Sequence, residues 1–145
     1  LAYCVCSHNQ ALCFNILTGK LVWQRIFDKE ARSCLELGHK LLSPISFGDV
    51  VCFPISGLGL VILKKQTGQQ VKRIRIKEEL VSAVHSKNKL LLLGKRWFYV
   101  LEMPSGKPLW KTLVKGGDYH EMIQPNSNSC VIRSADGKSS ESAKI

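Results

Sequence analysis

LTGKLVWQ, residues 17–24, returns as MPSGKPLWK at 103–111 and, more faintly, as KQTGQQVKR at 65–73. A turn-plus-tryptophan phrase used repeatedly is the mark of one supersecondary unit copied along a chain. A short apolar stretch precedes each turn, at 11–16, 60–63 and 98–101, and an extended stretch follows it, at 21–26, 71–76 and 109–114. A third stretch lies upstream in every copy, at 2–6, 50–55 and 90–93, and a fourth, at 42–47 and 80–85, begins only with the second copy. Aliphatic, aromatic and β-branched residues dominate all of them, which suits a pleated surface and argues for strands.

The spacing sets the size of the unit. Gly48-Asp49, Lys87-Asn88 and Ser127-Asn128 read as turns; Asp49, Asn88 and Asn128 stand 39 and 40 residues apart. Four antiparallel strands in about 40 residues make one propeller blade. The glycines of the three phrases, Gly19, Gly68 and Gly106, are separated by 49 and 38 residues. The surplus in the first interval falls in FDKEARSCLELG, residues 27–38, where Asp28 is placed to cap a short helix ending at Gly38, so this segment reads as an insertion between blades. RSADGKSSESAKI, the last stretch, reads as a hairpin tip running into a polar flexible tail, which divides the chain into a repeat region over 1–135 and a tail over 136–145.

A tight turn needs a residue that takes positive φ without steric cost, and the three glycines fill that slot. Four residues later stand Trp23, Lys72 and Trp110. A blade must bury both faces against its neighbours, and an indole on the outer strand covers much of a seam while its N–H finds a backbone acceptor. With Lys72 in place of Trp, the middle seam is expected to be less well packed or covered by another group, such as the inserted 27–38 segment.

CFNILTGKLVW and VLEMPSGKPLW resemble the repeat of quinoprotein-like (PQQ-like) β-propellers, with a pattern close to A-L-D-x-x-T-G-K-x-x-W. Cys13, Phe14 and Asn15 stand at the A-L-D positions of the first copy, completed by Thr18, Gly19, Lys20 and Trp23; Val100, Leu101, Glu102, Ser105, Gly106, Lys107 and Trp110 match in the third. SPISFGDVVCF, residues 43–53, is similar to the strand and Gly-Asp turn that precede the motif in that family. The resemblance covers residues 1 to about 135 and implies an all-β fold of four-stranded antiparallel blades, an incomplete ring. Three copies and the start of a fourth do not close a propeller of four to eight blades, so the chain is expected to be a piece of a longer protein, the alternatives being assembly with other chains or an open arc. The remaining blades, in the same or another chain, are then among its partners.

The 145 residues, 45% apolar and 22% charged, describe a globular chain rather than a disordered or fibrous one. The longest apolar run, 90–93, is far below the roughly 20 residues that span a bilayer, so no membrane span is expected, and no basic leader running into an apolar stretch is visible. Six cysteines lie mostly within apolar runs, which favours buried free thiols and a reducing, cytoplasmic compartment over a disulfide framework. A net charge of +10 biases the molecule toward acidic or phosphate-rich partners.

Cys4, Cys6 and His8 alternate in YCVCSH and share one strand face, but positions about 6.5–7 Å apart suit a tetrahedral metal site poorly. VKRIRIK, residues 71–77, sets Arg73, Arg75 and Lys77, with Lys72 beside them, along one blade edge, where they are candidates for nucleic-acid or other polyanion binding. The competing reading is that edge strands carry Lys and Arg to discourage aggregation. KRWFYV, residues 95–100, mixes aromatics and charges as stacking platforms do, although Trp97 and Phe98 fit a hairpin turn and a core strand more simply. A quinoprotein-like dehydrogenase needs its quinone, a calcium ion and a carboxylate base, and Asp49 and Glu102 sit at turn or repeat positions without forming an acidic pair. His8, His39, His85 and His120 are scattered. No catalytic, cofactor or metal residue is nominated. The expectation is a non-catalytic binding or scaffolding module for a protein partner, with polyanion binding or a fragment of a quinoprotein-like enzyme as alternatives.

Overall fold

The computed structural model describes residues 1–6, 10–114, 119–126, 129–134 and 140–144. Four antiparallel sheets follow one another along the chain. The first contains β1 (Ala2–Cys6), β2 (Gln10–Phe14) and β3 (Leu21–Ile26), and α1 (Lys29–Glu36) leads to the second, made of β4 (Ile45–Phe47), β5 (Val50–Ile55), β6 (Gly59–Lys64) and β7 (Gln70–Arg75). The third contains β8 (Leu80–Ser86), β9 (Lys89–Gly94), β10 (Trp97–Glu102) and β11 (Lys107–Leu113), and the fourth β12 (Tyr119–Asn126), β13 (Ser129–Ser134) and β14 (Ser140–Lys144). Every strand pairs only with its neighbours in sequence, so each sheet is a local meander. The chain divides into two compact units, 1–77 and 78–145, each holding two sheets.

The repeated phrase is a repeated geometry. Gly19, Gly68 and Gly106 have φ of 66°, 67° and 67°. In each of the three complete turns the register slips at the same place, between Cys13 and Phe14, Ile62 and Leu63, and Val100 and Leu101. The slip leaves Val22, Val71 and Leu109 unpaired on the outer strands and turns the next side chain, Trp23, Lys72 or Trp110, back over the sheet, as a β-bulge does.

In the first unit, Ala11, Cys13 and Trp23 of the first sheet meet Val51, Phe53, Val61 and Leu63 of the second in one buried cluster, joined by Phe27 and Ala31 from the segment between the sheets. Trp23 is 8% exposed, and its indole N–H donates to the Lys65 carbonyl at 2.6 Å. Asp28 caps α1 by accepting from the Ala31 N–H at 3.0 Å. The helix does not stand in for the missing indole at Lys72. Lys72 pairs with Ile62, on the face of the second sheet opposite Val61, whereas Phe27 and Ala31 pack on the Val61 side.

In the second unit, Leu91, Leu93, Phe98 and Val100 pack with Ile132 of β13, flanked by Val81, Val84 and Val114. Trp110 lies 5.5 Å from the Phe98 ring, centroid to centroid, but is 38% exposed, so it is not a sealed counterpart of Trp23. Two expected boundaries change. The 42–47 strand shortens to β4 because Pro44 offers no N–H, and Leu42 instead donates to the Pro54 carbonyl at 2.9 Å. The tail expected over 136–145 supplies β14 at Ser140–Lys144, paired with β13; backbone ladder bonds need no apolar alternation, so polar composition did not reveal it.

Candidate interaction surface

The basic edge at β7 is where sequence reading placed its only binding residues. Arg73 pairs with Val61 in register, so its side chain lies on the α1 side of the sheet and is only 15% exposed. Its guanidinium is paired with Asp28 and donates to Glu30 at 2.8 Å, and Arg75 donates to the same Glu30 carboxylate at 3.0 Å. Burial, and next the charge of Arg75, lowers the Arg73 pKa. Two of the four candidate cations thus already hold carboxylates, and they tie α1 to the sheet. Lys72 and Lys77 are exposed, Lys72 on the opposite face.

A second cluster, not nominated from sequence, lies at the β9–β10 hairpin. The Glu78 carboxylate accepts from the Arg96 N–H at 2.5 Å, the Trp97 N–H at 3.0 Å and the Tyr99 hydroxyl at 2.6 Å. A Cβ at position 94 would fall 2.4 Å from the Glu78 carboxyl carbon, so glycine there is what lets the carboxylate reach the turn. Burial, then the hydrogen bond to Glu78 and its charge, pushes the Tyr99 pKa well above the usual tyrosine value, which keeps the hydroxyl a donor. Lys95 adds an ion pair to Glu79 at 2.7 Å. The clamp holds the backbone of Arg96 and Trp97 while Arg96 remains exposed, and the Lys111 ammonium sits 4.4 Å from the centre of the half-buried Trp97 ring. Phe98 is fully buried, as a core strand requires. Only the glycine inside LLLLGKRW hinted at this arrangement.

The other nominated clusters do not come together. Cys4 is an exposed free thiol, while His8 and the Cys6 side chain lie outside the described residues; among the described residues no group of three His, Cys, Asp or Glu could hold a metal. Cys13 and Cys52 are buried free thiols, and burial pushes Cys52 up to about 12. His39 lies against Gly57, His85 is exposed, and the His120 side chain is outside the described set. Among the described residues no helix is long and apolar enough to cross a membrane.

No protein-family profile matches the chain. Over 103 residues it is 32% identical to the outer membrane protein assembly factor BamB of Burkholderia pseudomallei (strain K96243), a match covering 70% of this chain and 26% of that protein. The crystal structure of BamB from Moraxella catarrhalis superposes with a TM-score of 0.69 at 15% identity, over 98% of this chain and 41% of that one. The chain is a partial β-propeller of the quinoprotein-like repeat family. The propeller architecture is shared more widely, since the C-terminal WD40 domain of Sif2 matches with a TM-score of 0.66 at 11% identity, over 94% of this chain and 40% of that one. The chain therefore spans about a quarter of the length of its curated relative, and each sheet described above is a propeller blade, whole or in part.

Proposed function

We propose that the chain is a non-catalytic protein-interaction module whose third blade presents the Arg96–Trp97 hairpin, with Lys111, to a polypeptide partner. The observation that carries this reading is the Glu78 clamp: three hydrogen bonds fix the turn backbone and Tyr99 beside the exposed Arg96 and Lys111 and the half-buried Trp97. A loop held in one conformation before binding loses little entropy when it engages, which makes it suited to recognition. The name of the curated relative, an outer membrane protein assembly factor, supports an assembly role over a catalytic one. Net charge of +10 favours an acidic partner segment. Polyanion binding through the Lys72–Lys77 edge is the weaker reading, because Arg73 and Arg75 already carry carboxylate partners.

The test is retention of polypeptides on the immobilised chain at physiological salt, compared with an Arg96→Glu, Lys111→Glu variant that keeps the Glu78 clamp. Loss of the retained set in the variant supports the reading. An unchanged set would remove the hairpin from it.

A further inference from the structure

The glycine turns of the first two blades share one backbone. Asn15 N–H donates to the Lys20 carbonyl and Lys64 N–H to the Gln69 carbonyl, each at 2.9 Å, while Gly19 N–H returns to the Asn15 carbonyl at 2.8 Å and Gly68 N–H to the Lys64 carbonyl at 2.9 Å. The glycine φ values are 66° and 67°. In both turns a threonine hydroxyl accepts from the N–H two residues on, Thr18 from Lys20 at 3.4 Å and Thr67 from Gln69 at 3.3 Å. The two turns part at the residue four before the glycine. In the first it is Asn15, whose Oδ1 accepts from two consecutive N–H groups, those of Leu17 at 2.9 Å and Thr18 at 3.2 Å. In the second it is Lys64, whose side chain has no acceptor to offer.

Because the backbone is shared, the N–H groups of Gln66 and Thr67 converge on the point that Asn15 Oδ1 fills in the first turn. Among the described residues nothing accepts from either of them. The third turn has no such pair: Pro104 carries no N–H, and the Glu102 carboxylate, at the equivalent position, accepts from the Ser105 hydroxyl at 3.2 Å. Two successive free N–H groups in a turn form a concavity suited to an anion, and a neighbouring lysine adds a full charge. Space for a ligand lies at the same place. A cavity of about 530 Å³ is bounded by the 64–67 turn and the Gly48-Asp49 turn. Lys65 holds these two walls together, its N–H donating to the Asp49 carbonyl at 2.9 Å and its ammonium to the Gly48 carbonyl at 2.5 Å. Lys64 and Lys65 outnumber Asp49 in the lining, which is therefore net positive.

We propose that the 64–67 turn of the second blade is a carboxylate-binding site. One oxygen of the bound carboxylate takes the place that Asn15 Oδ1 holds in the first turn, accepting from the Gln66 and Thr67 N–H groups, and Lys64 neutralises its charge. The ligand class follows from the first turn: a carboxylate oxygen matches an amide oxygen in size and lone-pair direction, so the backbone is already shaped for it. The cavity, in the size range of small-molecule sites, leaves room for the body of the acid. That acid is free or is a side chain of another polypeptide, and the chemistry at the turn is the same for both. The proposal does not depend on the hairpin reading above.

The test is amide NMR of the 145-residue chain, titrated with sodium acetate in exchange for sodium chloride at constant ionic strength. The Gln66 and Thr67 signals should move downfield and saturate, while those of Leu17 and Thr18, already capped by Asn15, stay still. Lys64→Asn, which copies the first turn, should abolish the response. Asn15→Lys, which copies the second, should create it at Leu17 and Thr18. The blocked peptide N-acetyl-Ala-Glu-Ala-amide separates the two sources: saturation at a lower concentration than acetate supports the proposal with a polypeptide carboxylate as ligand, and saturation at a higher one supports it with a free acid. Acetate that leaves Gln66 and Thr67 unmoved, or moves them equally in Lys64→Asn, overturns the proposal. Inorganic phosphate saturating the same two amides at a lower concentration than acetate overturns the assignment to a carboxylate.

Discussion

The Trp23 indole donates to the backbone carbonyl of Lys65, 42 residues away, and in doing so joins the outer strand of one blade to the turn of the next. The bond is short, at 2.6 Å, and the ring is packed against Tyr3 at 6.1 Å between centroids. Replacing Trp23 with Phe removes the donor and part of the seam, and is expected to lower stability by about 1–3 kcal/mol. Trp110→Phe, at a ring 38% exposed, should cost less than about 1 kcal/mol. Urea unfolding followed by circular dichroism compares the two; equal losses contradict the asymmetry.

Arg73 acts as a structural tie, so its removal should be felt in stability before it is felt in binding. Arg73→Gln leaves Asp28 and Glu30 without their shared cation and is expected to cost about 1–2 kcal/mol, discounted because both carboxylates are 45% exposed. Heparin retention should fall no further than in Lys20→Gln, which removes the same single charge. A variant that keeps full stability yet loses heparin retention would return the edge to the polyanion reading.

The Tyr99 hydroxyl gives a pH signature. Its folded pKa is raised above the unfolded value of about 10, so the folded state holds this proton more tightly. The associated stability is present below about pH 10 and is lost as pH rises through the folded pKa. Denaturant midpoints measured from pH 8 to 12 should fall on the alkaline side, and Tyr99→Phe should flatten that limb. A Tyr99→Phe curve that falls as steeply as the parent would show that the clamp plays no part.

Thiol chemistry separates the cysteines. Cys52, buried and raised to about 12, and Cys13, also buried and raised, should resist iodoacetamide at pH 8, while exposed Cys4 reacts. Peptide mapping after brief alkylation reads this out, and rapid labelling of Cys52 in the folded chain contradicts its burial.

What the sequence disclosed was what local chemistry writes. Gly19, Gly68 and Gly106 announce their turns because few other residues take that backbone conformation, and Asp28 announces α1 because a cap lies next to the helix it serves. The bulges beside those turns were not legible, since an unpaired Val22 or Leu109 is defined only by the register of two strands. Glu78 escaped notice because its partners Arg96, Trp97 and Tyr99 stand 18 to 21 residues away and two of the three bonds go to backbone, which carries no sequence signal. Arg73 misled for the same reason: a guanidinium paired with Glu30 across 43 residues looks in sequence like one facing water.

The central claim is that the clamped hairpin of the third blade meets a polypeptide. A photoreactive amino acid at position 96, activated in a lysate of the source cells, tests it most directly, with the same group at the exposed β3 position 24 as control. The account predicts discrete polypeptide adducts at 96 that are absent at 24 and that disappear with Lys111→Glu. Adducts of the same pattern and yield at both positions, or adducts indifferent to Lys111, would contradict it.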